Sequence, residues 1–332
     1  MMTRKKLRLG VVVLMTVCLA WAPSLMAAEF PEQALTIINP QAPGGAHDAQ
    51  GRAFAAIADK HFGKPLIVVN KPGASTMIGS IAAAEAAPDG YTLLLGSSMT
   101  TTVVEWDVIN GKTPPVTRDT YVTIGSFTLI PTVVSVPVNS PWNSIADLVR
   151  DAKAKPGHYA FCSAGVLSSS HLGAELFARA YGLKFRHVPF KGGGPCLASL
   201  VGGHADFTTQ FTITTIPLAR GNKVRILATQ SDRRVKAIPD VPTLKELGAN
   251  NAEMYMWVGL VAPKKTPAPV VERLRQLTAK AAKDPAFSEA IEKLGGEVQF
   301  MDGNELGKFW QKESAEMNQL LTVLHKEGVK ID

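Results

Sequence analysis

The chain has 332 residues, 46% hydrophobic and 19% charged, with 35 lysines and arginines against 28 acidic residues. Its formal charge of +7 is concentrated at the start: Arg4, Lys5, Lys6 and Arg8 precede the apolar run Leu9 to Trp21, and small residues follow at Ala27 and Ala28. That order reads as a secretory signal cleaved after Ala28, too short and wrongly flanked to be a membrane anchor. Val17 before Cys18 is a poor match to a lipoprotein signal. Without the four basic residues, 31 positive side chains face 28 acidic ones, a net of +3 over residues 29–332. No lysine or arginine block remains to attract nucleic acid. No second long apolar segment remains to span a membrane. At this length two lobes are expected rather than one core.

In chain order, "LTIIN" reads as a strand, followed by a helix with Ala53, Phe54, Ile57, Ala58 and Phe62 at helical spacing. Then come the strand "PLIVVN", the loop "KPGASTMIG", a helix from Ser80 to Ala86 and the strand "YTLLLG". The middle repeats this alternation. "HYAFCSAG" is a strand before a helix marked by Leu172, Leu176, Phe177 and Ala180, and "FRHVPF", "ADFTTQF" and "VRILATQS" are further strands. The last third reads as helical, with prolines near the starts of two helices, where a missing N–H costs little. Repeated βα order implies an α/β fold with mostly parallel sheets flanked by helices, and two such lobes imply a ligand cleft between them.

Four loops join a strand end to a helix: Pro43-Gly44-Gly45-Ala46, Gly73-Ala74-Ser75-Thr76, Gly96-Ser97-Ser98, and Ser163-Ala164-Gly165 with Ser168-Ser169-Ser170. Glycine lets the backbone approach a ligand, and helix N-termini favour anions. For any single loop, an ordinary turn or cap accounts for the same residues. Several together favour a carboxylate-binding cleft. Lys191, in "PFKGGG", reads equally as a ligand contact or as a solvated loop lysine, and Phe190 and Phe211 as an apolar cleft wall or as core.

Other chemistries fit less well. There is no GxxxxGK[ST] phosphate loop, no GxGxxG opening a helix and no GxSxG elbow. Ser169 and His171 make a hydrolytic pair conceivable, but no third residue is nominated to orient the base. His171 and Glu175 share a helix face without a third metal ligand, and no metal or cofactor is expected. Cys162 and Cys196 remain after processing; a disulfide in an oxidising compartment and two buried thiols are both open readings.

The chain resembles the solute-binding receptors of tripartite tricarboxylate transporters, also called Bug receptors. The segments "PQAPGGAHD", "NKPGASTMIGS", "AAPDGYTLLLGSS", "SAGVLSSSHLGAELF", "HVPFKGGGPCLASLVGGHADF", "IPDVPTLKELG" and "WVGLVAPKKTPAPVVERL" occur in the family's order and spacing. The resemblance implies a two-lobed periplasmic binding protein of the Venus-flytrap type. Lobe one would comprise residues 29–129 and 251–332, and lobe two residues 130–250. It implies a monomer that binds a small organic acid and hands it to a membrane permease with one large and one small subunit.

The ligand set it carries over is Pro43, Gly44, Gly45, Ala46, Ser75, Thr76, Ser97 and Ser98 from lobe one. Lobe two adds Ser163, Ala164, Gly165, Ser169, Lys191 and Gly192. Phe190 stands where many members have tyrosine. Gln210 stands where many have aspartate, which disfavours a ligand amine and favours a plain carboxylate, aliphatic or aromatic. Cys162 stands where glycine is common, so a pairing with Cys196 would belong to a subset. A sensor without transport would share the same pocket and is the alternative reading; a hydrolase is remote.

Overall fold

A computed structural model describes residues 30–190 and 192–328; the expected signal, residues 1–28, lies outside them. β1 (Leu35–Asn39), β2 (Leu66–Asn70) and β3 (Thr92–Ser97) run parallel with β1 in the middle. They lead into α1 (Ala46–Phe62), a 3-10 turn (Ala74–Thr76) continued by α2 (Met77–Ala84), and α3 (Ser98–Ile109). α1 buries Phe54, Ala55, Ala58 and Phe62 on one face and ends on Gly63, whose φ of 68° makes a left-handed cap. α2 starts three residues earlier than the periodicity of its alanines indicates, because the preceding turn already winds the chain.

The second set of parallel strands is β5 (Ala160–Ser163), β6 (Arg186–Pro189) and β7 (Phe207–Phe211), with β5 in the middle. The helices around them are α4 (Ile145–Ala154), α5 (Ser169–Tyr181), α6 (Gly193–Val201) and α7 (Thr212–Arg220). Between the two sets runs β4 (Tyr121–Pro137), 17 residues long. From Tyr121 to Pro131 it pairs antiparallel with β9 (Tyr255–Pro263). From Thr132 onward it pairs antiparallel with β7 and with β8 (Val224–Thr229). The partners change at Pro131, a residue with no N–H to give to a ladder.

The rest of the chain comprises α8 (Ala268–Ala282), α9 (Pro285–Lys293), β10 (Val298–Asp302) and α10 (Gly303–Lys326). β10, in a stretch that reads as helical, adds an antiparallel edge to β4. The sheets are therefore parallel in their βα units and antiparallel where β4, β8, β9 and β10 join them. No helix among the described residues is long and apolar enough to cross a membrane.

Two separate cores make two lobes. One packs Leu35, Phe54, Phe127, Val258, Leu274 and Phe287, with Phe54 and Phe127 stacked at 4.2 Å between centroids. The other packs Val134, Trp142, Leu148, Phe161, Phe177 and Phe207. A smaller cluster ties them together, joining Trp106 of α3, Leu172 of α5, Met254, and Met317, Leu321 and Leu324 of α10.

Candidate ligand-binding site

Parallel neighbours end on the same side, so the loops after β1, β2 and β3 form one wall. Asn39 and Asn70 close β1 and β2 in register. Both amides donate to the buried Asp48 of α1, at 3.0 and 2.8 Å, and Arg52 Nε donates to it at 2.9 Å. Gly44 N–H donates to the same carboxylate at 2.9 Å, with Gly44 at φ 79°. Burial pushes the Asp48 carboxyl up, but the hydrogen bonds from Arg52, Gly44, Asn70 and Asn39 outweigh it and hold the group well below the usual carboxylate range. Asp48 is thus the fixed anchor of the Pro-Gly-Gly turn.

His47, fully buried beside it, is pushed down to about 4 by desolvation and stays neutral at physiological pH. Its Nδ1 lies 2.9 Å from Asn39 Oδ1. The Asn39 amide nitrogen is committed to Asp48, so Nδ1 of His47 is the protonated nitrogen.

Three helices begin at this wall without a side-chain cap: α1 after Gly45, α2 after Thr76 and α3 after Ser97. Their first N–H groups have no intrahelical acceptor, and the dipoles add positive potential there. Pro43, Gly44 and Gly45 are exposed, and Ala46 is half-buried. Ala74, Ser75 and Thr76 take φ values of 43°, 50° and 85° in succession, each a left-handed conformation costing about 1–2 kcal/mol for a residue with a Cβ. Thr76 Oγ1 and Ser97 Oγ are buried with no hydrogen-bond partner. Ser98 Oγ accepts from Trp257 N–H at 3.4 Å and donates to the Tyr255 carbonyl at 3.4 Å.

In lobe two the corresponding loops follow the ends of β5, β6 and β7. Gly165 takes φ 133°, and its N–H donates to Ser163 Oγ at 3.1 Å, while Ala164 N–H donates to Ser170 Oγ at 2.8 Å. Gly192, at φ 112°, opens the uncapped α6 and donates its N–H to the Ala164 carbonyl at 3.1 Å. Gln210 is buried with Nε2 unpartnered, and a Cβ on Gly193 would stand 3.1 Å from its Oε1. The Gln210 amide therefore lies against the start of α6. Ser169 is half-buried at the first position of α5. Lys191 lies outside the described residues.

Phe190 packs beside the cluster of Cys162 and Cys196, and Phe211 against the lobe-one core. Cys162 and Cys196 form a disulfide with Cα atoms 5.5 Å apart, fastening α6 to the end of β5.

Two histidines hold this second wall. His171 Nδ1 accepts Leu167 N–H at 3.0 Å, and His187 Nε2 lies 2.7 Å from Ser163 Oγ. The two rings stack at 4.0 Å, and Phe161 lies nearly parallel to both, 4.7 Å from His187 and 6.0 Å from His171. Desolvation pushes His171 down to about 3, helped by His187, and His187 down to about 4, so both stay neutral.

His171 is engaged by Leu167, and no hydrogen bond joins it to Ser169. Ser163 and His187 do meet, but no described carboxylate orients the imidazole as a catalytic triad requires. No group of three or more His, Cys, Asp or Glu among the described residues is arranged to hold a metal. The site thus offers uncapped helix ends and neutral hydroxyl and amide donors, which is chemistry for an anion.

The family model described as "Tripartite tricarboxylate transporter family receptor" matches residues 51–325. This chain belongs to that family. BugT of Bordetella pertussis is 31% identical over 270 residues, covering 81% of this chain and 82% of BugT. A TctC solute-binding protein from Polaromonas, solved without ligand, is 30% identical with a TM-score of 0.76, covering 89% of this chain and all of that one. MatC from Rhodopseudomonas palustris, solved with bound malate, is 26% identical with a TM-score of 0.75, covering 88% of this chain and all of that one.

The anchoring residues carry little outward signal in the sequence. Asp48, Asn39, Asn70, His47 and His187 all lie in or beside recognised segments. Their one outward signal is that two parallel strands end on the same residue type, asparagine, close in sequence to an aspartate in the first turn of a helix.

Proposed function

We propose that the chain is a periplasmic receptor that captures a small organic carboxylate between lobe one (residues 29–129 and 251–332) and lobe two (residues 130–250). It then delivers the ligand, as a monomer, to a permease with one large and one small membrane subunit. The observation that carries this reading is that three of the eleven buried side-chain polar atoms without partners among the described residues belong to these loops and strand ends: Thr76 Oγ1 and Ser97 Oγ in lobe one and Gln210 Nε2 in lobe two. Buried donors are normally satisfied, and these stand beside four uncapped helix N-termini. A carboxylate supplies acceptors for both. Gln210 offers an amide where a ligand ammonium would need an acid, so the reading favours carboxylates and hydroxy acids over amino acids. The malate held by MatC is of that class.

Thermal shift of residues 29–332 against malate, succinate, citrate, phthalate, benzoate and glutamate tests it. A ligand at a hundredfold excess over its Kd adds about 2.7 kcal/mol of stability. Stabilisation by one class of amine-free acid is the expected result. Stabilisation by glutamate above its amine-free relatives would remove the Gln210 argument, and no stabilisation by any acid would remove the carboxylate reading.

Gly45→Val sharpens the site. A Cβ there meets only the Ala42 carbonyl, at 3.8 Å, so the fold should change by no more than about 1 kcal/mol. Affinity for the acid that stabilises the wild type should drop at least about tenfold, since the branched side chain blocks approach to the backbone.

A further inference from the structure

Lobe two carries a second run of glycines, at the start of α6. The helix opens on Gly192, at φ 112°, with no side-chain cap, and runs nine residues from Gly193 to Val201. Its first turn reads Gly193-Gly194-Pro195-Cys196. Proline has no N–H, and Cys196 N–H reaches the Gly192 carbonyl at 3.5 Å. The orphan donors of this helix start are therefore the N–H groups of Gly193 and Gly194. A Cβ on Gly192 or on Gly194 would meet nothing within 4 Å, so the space beside this turn is open.

The Gln210 side chain, next to last in β7, lies against the same turn. The residue is 3% exposed, and its Nε2 is buried without a partner. Measured from a Cβ on Gly193, its Oε1 stands at 3.1 Å and its Nε2 at 3.6 Å. A helix dipole, two N–H groups and an amide thus come together in one place, as anion sites require. The Cys162–Cys196 disulfide ties this helix start to the end of β5.

The serine loop beside it is closed within itself. Ala164 N–H donates to Ser170 Oγ at 2.8 Å, and Gly165 N–H to Ser163 Oγ at 3.1 Å. Gly192 N–H donates to the Ala164 carbonyl at 3.1 Å, and Ser168 Oγ to the Gly165 carbonyl at 2.7 Å. The backbone donors of Ala164 and Gly165 are engaged, whereas those of Gly193 and Gly194 are not.

We propose that lobe two holds a carboxylate of its own at the start of α6, on the N–H groups of Gly193 and Gly194 and the Gln210 amide, and that the ligand is a dicarboxylate with one acidic group on each lobe. The inference deepens the carboxylate reading and rests on it. A single carboxylate accepts roughly four hydrogen bonds. The buried hydroxyls of Thr76 and Ser97, the two N–H groups and the Gln210 amide exceed that number before the helix starts of lobe one are counted. Two carboxylates satisfy them.

The test is calorimetric titration of residues 29–332 with L-malate, phthalate and the unbranched diacids from malonate to adipate, each beside its monomethyl ester, and with benzoate and citrate. A half-ester keeps the length and one charge of its diacid and loses the second anion. Wild type should bind its best diacid at least about tenfold tighter than the matching half-ester. Gln210→Glu keeps the side-chain shape and sets a like charge in the subsite. It should weaken that diacid by about a hundredfold and remove the preference over the half-ester. Gly194→Val fills the open space without touching the fold and should lower the same preference, with circular dichroism and Tm reporting that both variants are folded. Equal affinity for diacid and half-ester in wild type overturns the α6 subsite and leaves the receptor reading intact. A preference that persists in both variants does the same, as does binding of benzoate or citrate with no diacid bound. Absence of binding by every acid overturns the carboxylate reading itself, and the subsite with it.

Discussion

In lobe one, the Pro-Gly-Gly turn is pinned by a charge: ionised Asp48 gathers Gly44 N–H, Asn39, Asn70 and Arg52. In lobe two, the serine loop is pinned by neutral groups: stacked His171 and His187 hold Leu167 and Ser163, and a disulfide fastens α6 behind them. Both walls carry donors suited to an anion, yet only the first has an ionised carboxylate among them, and that carboxylate is spent on four donors. The difference teaches that uncapped helix ends can supply positive potential even beside a carboxylate, provided that carboxylate is fully engaged. It also means that the two walls fail under different conditions.

Acid should separate them most strongly. The folded protein keeps His171, His187 and His47 neutral down to about 3, 4 and 4. In the unfolded chain they protonate near their ordinary 6.5. The unfolded state therefore binds more protons between pH 6.5 and about 4, and stability falls as pH falls through that window, by up to about 1.4 kcal/mol per unit for each imidazole. Two of the three belong to lobe two, so His187→Gln should flatten the slope measured by urea unfolding between pH 7 and 4. An unchanged slope would remove the imidazole stack from the account of lobe two. Asp48 stays ionised throughout that range.

Asp48→Ala strikes the other wall. It leaves Gly44 N–H, two amides and Arg52 without their acceptor, and should cost about 3–5 kcal/mol in equilibrium unfolding. A cost below that of an ordinary surface substitution would show that the turn is held by something else. Replacing both Cys162 and Cys196 by alanine opens a loop closed across 34 positions, expected to cost about 3–4 kcal/mol. Refolding with an unchanged unfolding midpoint would contradict the covalent half of the comparison. The smallest effect is a gain. Ser75→Gly removes a left-handed serine at φ 50° and should add up to about 1 kcal/mol in the same assay. A loss would mean that the serine side chain holds the turn in place.

Much of this was legible in the sequence. The βα alternation located β1, β2, β3, β5, β6, β7 and β8, and with them four of the loops between strand ends and helices, because strand and helix periodicities are local. Pairing is not local, so β4, β9 and β10 did not show: each is defined by partners far along the chain. The anchoring residues were hidden for a related reason. An aspartate in the first turn of a helix already has a sufficient explanation in the helix dipole, and a histidine in a strand has one in the core.

The sharing of β4 between two sheets has a consequence for how the chain becomes a protein. Lobe two closes from one continuous stretch. Lobe one does not: Leu94 of β3 must find Val261 of β9, and Asp284 must reach His61. A polypeptide arriving N-terminus first therefore holds three strands and three helices of lobe one with an open sheet edge until the final third is delivered. Such distant pairings are slow to form. Until β9 covers it, that unpaired edge is a template for pairing with another chain.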